Sequence, residues 1–161
     1  MYNIDGRLLK FLTSYLSGRE QCVTIDNINS SFKPVLSGVP QGSILGPILF
    51  VLFINDLPLG LNGDTNLALY ADDTKIWRII HSERDHELLQ NDIEYLNNWA
   101  LSNKMNFHPQ KCKVVSVAHS LPPLLDMLPN IQYFYYLGDC LLDYVDSERD
   151  LGVHINTSPK L

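Results

Sequence analysis

The segment Ser37–Pro47 limits the folds open to this chain more than any other part of its sequence. It reads Ser-Gly-Val-Pro-Gln-Gly-Ser-Ile-Leu-Gly-Pro, and a glycine recurs at every fourth position, at Gly38, Gly42 and Gly46. Glycine weakens helices and strands, because its backbone loses more conformational freedom on folding than that of other residues. We therefore expect an irregular loop whose backbone closely approaches another group.

The same segment excludes several familiar enzyme loops. No lysine follows Gly42 before Ser43, so it is not a Walker A loop, and its glycine spacing matches neither a dinucleotide-binding loop nor a nucleophile elbow. Two interpretations stay open. The loop only precedes a buried helix, or it uses the Gln41 amide and bare backbone to contact a nucleotide or a template base. Pro47 suits the first turn of the helix expected next, which should end before Pro58.

A second segment, Thr65–Arg78, predicts two strands around a tight turn formed by Ala71, Asp72 and Asp73. Apolar residues alternate with other residues before the turn and resume after it, as in a hairpin. Two carboxylates at such a turn can converge on one side, where they repel each other unless a cation lies between them. Hard oxygen ligands at few positions suit Mg²⁺. The alternative is an ordinary solvated turn, since aspartate is common in turns.

The rest of the chain predicts helices mixed with strands, which favours an α+β fold over a doubly wound one. An amphipathic helix is expected over residues 4–17, and a longer one from Ser82, where Asp85 is placed for a capping box, to residue 103 or 104. Residues 121–129, with three prolines, are linker-like. Further strands are predicted over residues 21–25, 32–36, 105–107, 114–117, 131–137, 140–145 and 150–155.

The composition is that of a globular protein with an acidic balance. Hydrophobic residues make up 45% of the chain, which excludes a disordered tail, and 12 basic against 18 acidic residues give a net charge of −6. Surfaces that bind nucleic acid are more often basic. If this chain binds a nucleic acid, most of the positively charged contacts therefore have to come from outside this chain. Three scattered cysteines predict neither disulfides nor a zinc site, and no apolar run could span a bilayer. We expect an intracellular protein without membrane contact, in the nucleus or the cytoplasm.

Several motifs, taken in their order along the chain, resemble the reverse transcriptases of non-LTR (LINE-type) retrotransposons, especially the jockey-like group. They are the loop segment Ser37–Phe50, then Ile54–Pro58, then Leu69–Thr74 with its Tyr-Ala-Asp-Asp. Asn106–Cys112 is similar to the family's next motif, with its lysine, and Asp150–Val153 to the strand-forming motif after that. Each motif alone is moderate evidence, whereas their shared order across nearly the whole chain is strong evidence.

The resemblance implies an RNA-directed DNA polymerase with the right-hand fold of polymerases. Residues 1–120 match part of the palm, a ferredoxin-like α+β domain with a catalytic β-hairpin, and residues 121–161 match a linker and a hairpin on the thumb side. The family's hairpin aspartates, here Asp72 and Asp73, hold the catalytic Mg²⁺ or Mn²⁺ ions that activate the primer 3′-hydroxyl and stabilise the leaving pyrophosphate. Asp72 matches the principal ligand and Asp73 the supporting one.

The resemblance also implies contacts with an RNA template, a DNA primer and a deoxynucleoside triphosphate. Lys111 matches the residue that meets the triphosphate and assists the departure of pyrophosphate, and Tyr70 lies where it can pack near the primer end. Four further residues match the loop beside the template and the incoming nucleotide: Pro40, Gln41, Gly42 and Ser43.

One element of the family's metal site has no counterpart in this sequence. The family has a further aspartate in a strand upstream of the region that residues 1–36 match, and neither Asp5, expected at a helix start, nor Asp26, expected in a turn, lies in such a strand. The fingers are missing as well, which implies an upstream segment of the same polyprotein. We therefore expect that the chain alone does not polymerise DNA. Three alternatives stay open: a non-catalytic remnant or interaction module, an unrelated α+β domain, and a group II intron or telomerase-type polymerase.

Overall fold

The computed structural model describes residues 2–117 and 133–157. The chain divides into two compact units, residues 1–56 and residues 57–161. Each unit combines helices with short strands that pair two by two, so the expected mixture of α and β structure is confirmed. The predicted linker, residues 121–129, lies outside the described residues. Within the described part of the chain, no helix has both the length and the apolar character needed to cross a membrane.

The first unit consists of an irregular hairpin between two helices. Helix α1 spans Gly6–Leu16 and helix α2 spans Leu45–Ile54. Strand β1 pairs antiparallel with β4, and β2 pairs antiparallel with β3, so the four strands form one nested hairpin. Their bounds are Glu20–Gln21 for β1, Thr24–Ile25 for β2, Ile28–Asn29 for β3 and Lys33–Pro34 for β4.

The ends of the elements in this unit follow local sequence rules. Gly18, just after α1, has a φ of 63°, the left-handed conformation that commonly ends a helix. Asp26 and Asn27 form the turn between β2 and β3 with φ angles of 48° and 61°, which aspartate and asparagine accept better than most residues. Helix α2 begins two residues earlier than expected, at Leu45, so that Pro47 lies in its first turn.

The second unit contains a long hairpin, a long helix and several short strands. The hairpin consists of β5 Thr65–Tyr70 and β6 Asp73–Arg78, and helix α3 spans Glu83–Ser102. Short 3₁₀ turns lie at Leu57–Gly60 and Pro109–Lys111. The other strands are β7 Lys113–Val114, β8 Tyr136–Leu137, β9 Cys140–Leu141, β10 Asp143–Tyr144, β11 Ser147–Asp150 and β12 Val153–Asn156. β8 pairs with β9 and β11 with β12 in antiparallel fashion, whereas β7 and β10 pair in parallel.

The core of the second unit forms where α3 packs against the strands that follow it in the chain. Ile93, Leu96 and Ala100, all on the predicted apolar face of α3, are buried. Ile93 belongs to a buried cluster with Tyr135, Leu137 and Leu142. Half-buried side chains surround this cluster: Leu89, Phe107, Cys112, Val114 and Tyr144.

Two contacts hold the residues before β5 against α3. A Cβ atom on Gly60 would lie 2.3 Å from the ring of Tyr95, so a larger residue fits there only if the ring moves. Asp92 is 1% exposed, and its Oδ1 accepts hydrogen bonds from the backbone N–H and the side-chain amide of Asn62, at 2.9 and 2.7 Å. The other oxygen of this carboxylate, Oδ2, has no hydrogen-bond partner among the described residues.

Three local predictions for this unit are wrong. Residues 105–107 do not form a strand, because the chain there runs without regular structure from the end of α3 to the next 3₁₀ turn. Asp150–Ile155 is not a single strand, because the tight turn Leu151-Gly152, with positive φ at both residues, separates β11 from β12. Asp73 is not a turn residue, because it begins β6 and pairs with Tyr70.

Candidate active site

The tip of the β5–β6 hairpin is the strongest candidate for a functional site. The strands pair in continuous register from Thr65 opposite Arg78 to Tyr70 opposite Asp73. This pairing leaves Ala71 and Asp72 as a two-residue loop, and Ala71 has a φ of 51°. Two-residue hairpin loops commonly need positive φ at their first position. The aspartates therefore lie at the end of a continuous ladder with a loop of minimal length.

Asp72 and Asp73 are both exposed at this tip. Neither carboxylate makes a hydrogen bond or an ion pair with another residue that the structure describes. Adjacent carboxylates repel each other, and a hard divalent cation relieves that repulsion. Residues 2–117 and 133–157 contain no group of three or more metal-ligating side chains, so the pair can supply only part of a coordination shell. As oxygen ligands, the two carboxylates suit Mg²⁺ or Mn²⁺.

Residues that pair across two antiparallel strands have their side chains on the same face of the hairpin. The two faces defined in this way differ in burial. The inner face is buried or half-buried and consists of Thr65, Leu67, Leu69, Thr74, Ile76 and Arg78. The outer face is exposed and consists of Asn66, Ala68, Tyr70, Asp73, Lys75 and Trp77. The outer face therefore continues directly from the aspartates at the tip, where Tyr70 is 65% exposed.

Arg78 anchors the base of the hairpin. Its side chain is only 4% exposed. The guanidinium donates hydrogen bonds to the hydroxyl of Thr65 at 2.9 Å and to the carboxylate of Asp85 at 3.1 Å, and reaches Asp64 at 3.4 Å. A buried arginine needs such partners, because an unpaired buried charge is strongly destabilising. Since Asp85 lies in the first turn of α3, this contact ties the hairpin to the helix.

Asp85 also closes the capping box at the start of α3, as predicted. Its Oδ2 accepts hydrogen bonds from the Ser82 hydroxyl at 2.8 Å, the Ser82 N–H at 3.0 Å and the His81 N–H at 3.1 Å. The bond from the Ser82 hydroxyl, followed by those from the His81 N–H and Arg78, lowers the pKa of Asp85 from 3.8 to about 2. The carboxylate therefore stays ionised down to acidic pH.

An ion pair joins the outer face of this hairpin to the β11–β12 hairpin. The Nζ atom of Lys75 lies 2.5 Å from Oδ2 of Asp150. The same ammonium lies 5.9 Å from the centre of the Trp77 ring. The side chains of Lys75 and Asp150 are 47% and 32% exposed, so the pair is open to solvent. Asp150 is the first residue of the motif Asp150–Val153, and this motif therefore contacts the hairpin that carries the aspartate pair.

The glycine-rich loop belongs to the first unit. Pro40, Gln41, Gly42 and Ser43 form a turn in which the Ser43 N–H approaches the Pro40 carbonyl at 3.4 Å and Gly42 has a φ of 75°. The Ser43 hydroxyl donates to the same carbonyl at 2.7 Å and accepts from the N–H of Gly46 at 3.0 Å. A Cβ on Gly46 would lie 2.9 Å from both oxygens. The close approach predicted for this segment therefore occurs within the loop itself, and Gln41 is exposed at its turn.

The structure brings only some of the predicted site residues together. Tyr70, Asp72 and Asp73 meet at the hairpin tip. Lys111 ends the 3₁₀ turn between α3 and β7, where it is exposed, and no ion pair in the described part of the chain joins it to either aspartate. The turn Pro40–Ser43 lies in the other compact unit. The roles predicted for these residues stay predictions.

A comparison with protein families gives a match that spans both the hairpin and the glycine-rich loop. Residues 3–155 match the family described as reverse transcriptase (RNA-dependent DNA polymerase), which is nearly the whole chain. The chain belongs to the reverse transcriptase family. Reverse transcriptases are nucleotidyltransferases that generally use divalent metal ions and a nucleic-acid template. The predicted family is therefore confirmed.

This reverse transcriptase chain has relatives in Drosophila mobile elements. It is 33% identical over 165 residues to the RNA-directed DNA polymerase from mobile element jockey of Drosophila funebris, which covers 96% of this chain and 17% of the relative. The corresponding Drosophila melanogaster protein is 32% identical over 120 residues, covering 70% of this chain and 13% of the relative. A probable RNA-directed DNA polymerase from transposon X-element of Drosophila melanogaster is 38% identical over 93 residues, covering 55% and 10%. No solved structure matches this chain.

These relatives confirm the predicted resemblance to jockey-like non-LTR reverse transcriptases. The chain spans 17% or less of the length of the three relatives described. The match to the Drosophila funebris protein extends along almost the whole chain, so the similarity includes the hairpin, the glycine-rich loop and the segments between them.

The sequence analysis did not identify the roles of four side chains that organise the reverse transcriptase hairpin and its surroundings. Arg78 could have been found, because it occupies an inward position of an alternating strand. Asp92 also left a signal, since it lies between Leu89 and Ile93 on the apolar stripe of α3. The contact between Lys75 and Asp150 left none, because the two residues are far apart in sequence and the pair depends on tertiary structure.

Proposed function

We propose that this chain is the part of an RNA-directed DNA polymerase palm that carries the metal-binding hairpin. In this proposal, the polymerase transfers nucleotides from deoxynucleoside triphosphates to the 3′-hydroxyl of a DNA primer on an RNA template. The observation that carries the proposal is the hairpin tip, where Asp72 and Asp73 are adjacent, exposed and without a partner among the described residues. Membership of the reverse transcriptase family supplies the chemistry for such a pair.

Asp72, in the loop, is the proposed principal metal ligand, and Asp73, at the start of β6, the supporting one. A bound Mg²⁺ or Mn²⁺ ion supplies activation of the primer hydroxyl and stabilisation of the charge on the leaving pyrophosphate. The protein's own contribution is a fixed position for the carboxylates. The continuous ladder of β5 and β6, anchored at its base by Arg78, supports this rigidity.

The other proposed site residues bind the substrates. Tyr70 packs near the primer end, since it is exposed on the outer face directly opposite Asp73. Lys111 offers an exposed ammonium to the triphosphate from the 3₁₀ turn after α3. The turn Pro40–Ser43 offers the Gln41 amide and the bare backbone of Gly42 to the template and the incoming nucleotide.

The proposed organisation assigns residues 1–120 to the palm and residues 121–161 to a linker and a thumb-side hairpin. The β8–β9 hairpin, which turns at Gly138 and Asp139, is the proposed thumb-side element. An upstream segment of the same polyprotein supplies the fingers and the further metal-binding aspartate that the family has. The net charge of −6 is consistent with a template bound largely by positively charged residues of that segment.

Titration of the chain with Mn²⁺ tests the proposed metal site. The free ion is measured by electron paramagnetic resonance. We expect weak binding that Asp72→Asn reduces by about tenfold or more, because a hard cation then loses a charged oxygen ligand. The matched control is Asp139→Asn, since Asp139 is also exposed in a two-residue hairpin loop, between β8 and β9, but has no carboxylate beside it. Equal losses in the two variants would contradict the proposal.

The second candidate function is a non-catalytic module that retains the palm fold. The absence of a third carboxylate ligand among residues 2–117 and 133–157 favours it. The two candidates differ in one outcome. A polymerase palm supports RNA-templated DNA synthesis when the remaining segments are supplied, whereas a non-catalytic module does not.

A further inference from the structure

We propose that Asp150 is a positioning residue for the metal site. By holding the Lys75 ammonium near the middle of the hairpin, it keeps the carboxylates of Asp72 and Asp73 free for a divalent cation. This inference rests on the proposed function of those two aspartates as metal ligands.

Lys75 carries the ammonium that could compete with a divalent cation for Asp72 and Asp73. It follows Asp73 by two residues in β6, so both residues lie on the outer face of the hairpin, about 7 Å apart along the strand. A lysine side chain is long and flexible enough to span such a distance. An ammonium that paired with the aspartates would neutralise their charge and repel an approaching divalent ion.

The observed position of the ammonium avoids this competition. Its Nζ lies 2.5 Å from Oδ2 of Asp150 and 5.9 Å from the ring centre of Trp77. Trp77 is the next outer-face residue on the side away from the tip. Both contacts therefore hold the charge of Lys75 away from Asp72 and Asp73, neither of which pairs with it.

This arrangement makes the metal site depend on a distant part of the chain. Asp150 belongs to β11, so the β11–β12 hairpin must be in place for the lysine to be held. Loss of the Asp150 charge frees Lys75 to reach the tip. Loss of both charges removes the competitor as well, so the double variant should bind the metal at least as well as the original chain.

The test compares Mn²⁺ affinities of the chain and four variants at low ionic strength: Asp150→Asn, Lys75→Met, the double variant and a control. We expect Asp150→Asn to weaken binding about three- to tenfold, as for a freed charge at a partly exposed site. Lys75→Met and the double variant should bind at least as tightly as the original chain. At 1 M salt, where the Debye length is about 3 Å, the loss in Asp150→Asn should shrink.

The control for a general loss of negative charge is Asp143→Asn. Asp143 pairs with Lys113 at 2.8 Å, in a second ion pair of the same unit whose carboxylate is exposed. An Asp150→Asn variant that binds Mn²⁺ like Asp143→Asn would overturn the inference. A double variant as weak as Asp150→Asn would also overturn it, because the ion pair would then act only by docking the two hairpins.

These outcomes are distinct from failure of the proposed function. If Asp72→Asn binds Mn²⁺ as well as the original chain, the aspartates are not the metal site, and both proposals fail. If Asp72→Asn loses binding while Asp150→Asn keeps it, the metal site stands and only the role of Asp150 is rejected.

Discussion

Single residues determine how closely the parts of this chain approach one another. Gly46 lets the glycine-rich loop close on the start of α2, and Gly60 lets the turn before β5 lie against the ring of Tyr95. The sequence predicts the first approach, because repeated glycines in an irregular segment imply it. It does not predict the second, since a single glycine in a loop has many explanations and its neighbour Tyr95 is distant in sequence.

Replacement of Gly60 by alanine tests the second contact. The added methyl group would meet the Tyr95 ring at 2.3 Å, so we expect Gly60→Ala to lower the free energy of unfolding by about 1–3 kcal/mol, as other overpacked sites do. Gly63→Ala is the matched control, because nothing lies within 4 Å of a Cβ there. Urea denaturation followed by circular dichroism measures both variants. Similar stabilities of the two would show that the Tyr95 ring moves aside without cost.

At the scale of elements, the β5–β6 hairpin and α3 are joined by one charged group, Asp85. The sequence predicts its role in the capping box, because that motif is local and follows from the spacing of Ser82 and Asp85. It does not predict the contact with Arg78, which requires the strand and the helix to lie together. The folded structure therefore stabilises the ionised carboxylate more than the sequence pattern implies.

This group predicts how stability changes in acid. The pKa of Asp85 is lowered from 3.8 to about 2 in the folded chain, so its stabilising contribution is complete above pH 3.8 and is lost as the pH falls through about 2. We expect Asp85→Asn to remove part of the acid dependence of the urea midpoint between pH 5 and 2, because the titrating group is then absent. The measurement is a series of urea unfolding curves over that pH range.

The control for this measurement is Asp64→Asn. Asp64 also reaches Arg78, but its side chain is 91% exposed. The Asp64→Asn substitution should therefore leave the acid dependence of the urea midpoint nearly unchanged, since exposed ion pairs contribute little to stability. An Asp85→Asn variant that retains the full acid dependence would show that other carboxylates cause it.

The motif Asp150–Val153 shows where sequence patterns fail for an element. Its alternating apolar residues predict one strand, but Leu151 adopts a φ of 48° and, with Gly152, turns the chain between β11 and β12. Leucine seldom adopts that conformation. Gly152 is therefore the only local residue that indicates a turn at this position. In contrast, both strands of the β5–β6 hairpin are predicted well, because alternation continues over their whole length.

For the whole molecule, the family and the coarse fold are predictable because they depend on ordered motifs and on periodic patterns. The tip aspartates are predictable for the same reason, since hairpin, loop and carboxylates are contiguous in sequence. The pairing of β7 with β10, the ion pair of Lys75 with Asp150 and the hydrogen bonds of Asn62 to Asp92 are not. Each of these joins residues that are distant in sequence, and none leaves a local periodicity from which it could be read.

The most direct test of the polymerase assignment places this chain in a complete polymerase. Residues 3–155 replace the matching segment of the jockey polymerase of Drosophila funebris, to which the chain is 33% identical. RNA-templated extension of a DNA primer is then measured with Mg²⁺, after circular dichroism has established that the chimera is folded. We predict extension that Asp72→Asn abolishes and Asp139→Asn preserves. A folded chimera that does not extend the primer, or extension that is independent of Asp72, would contradict the assignment.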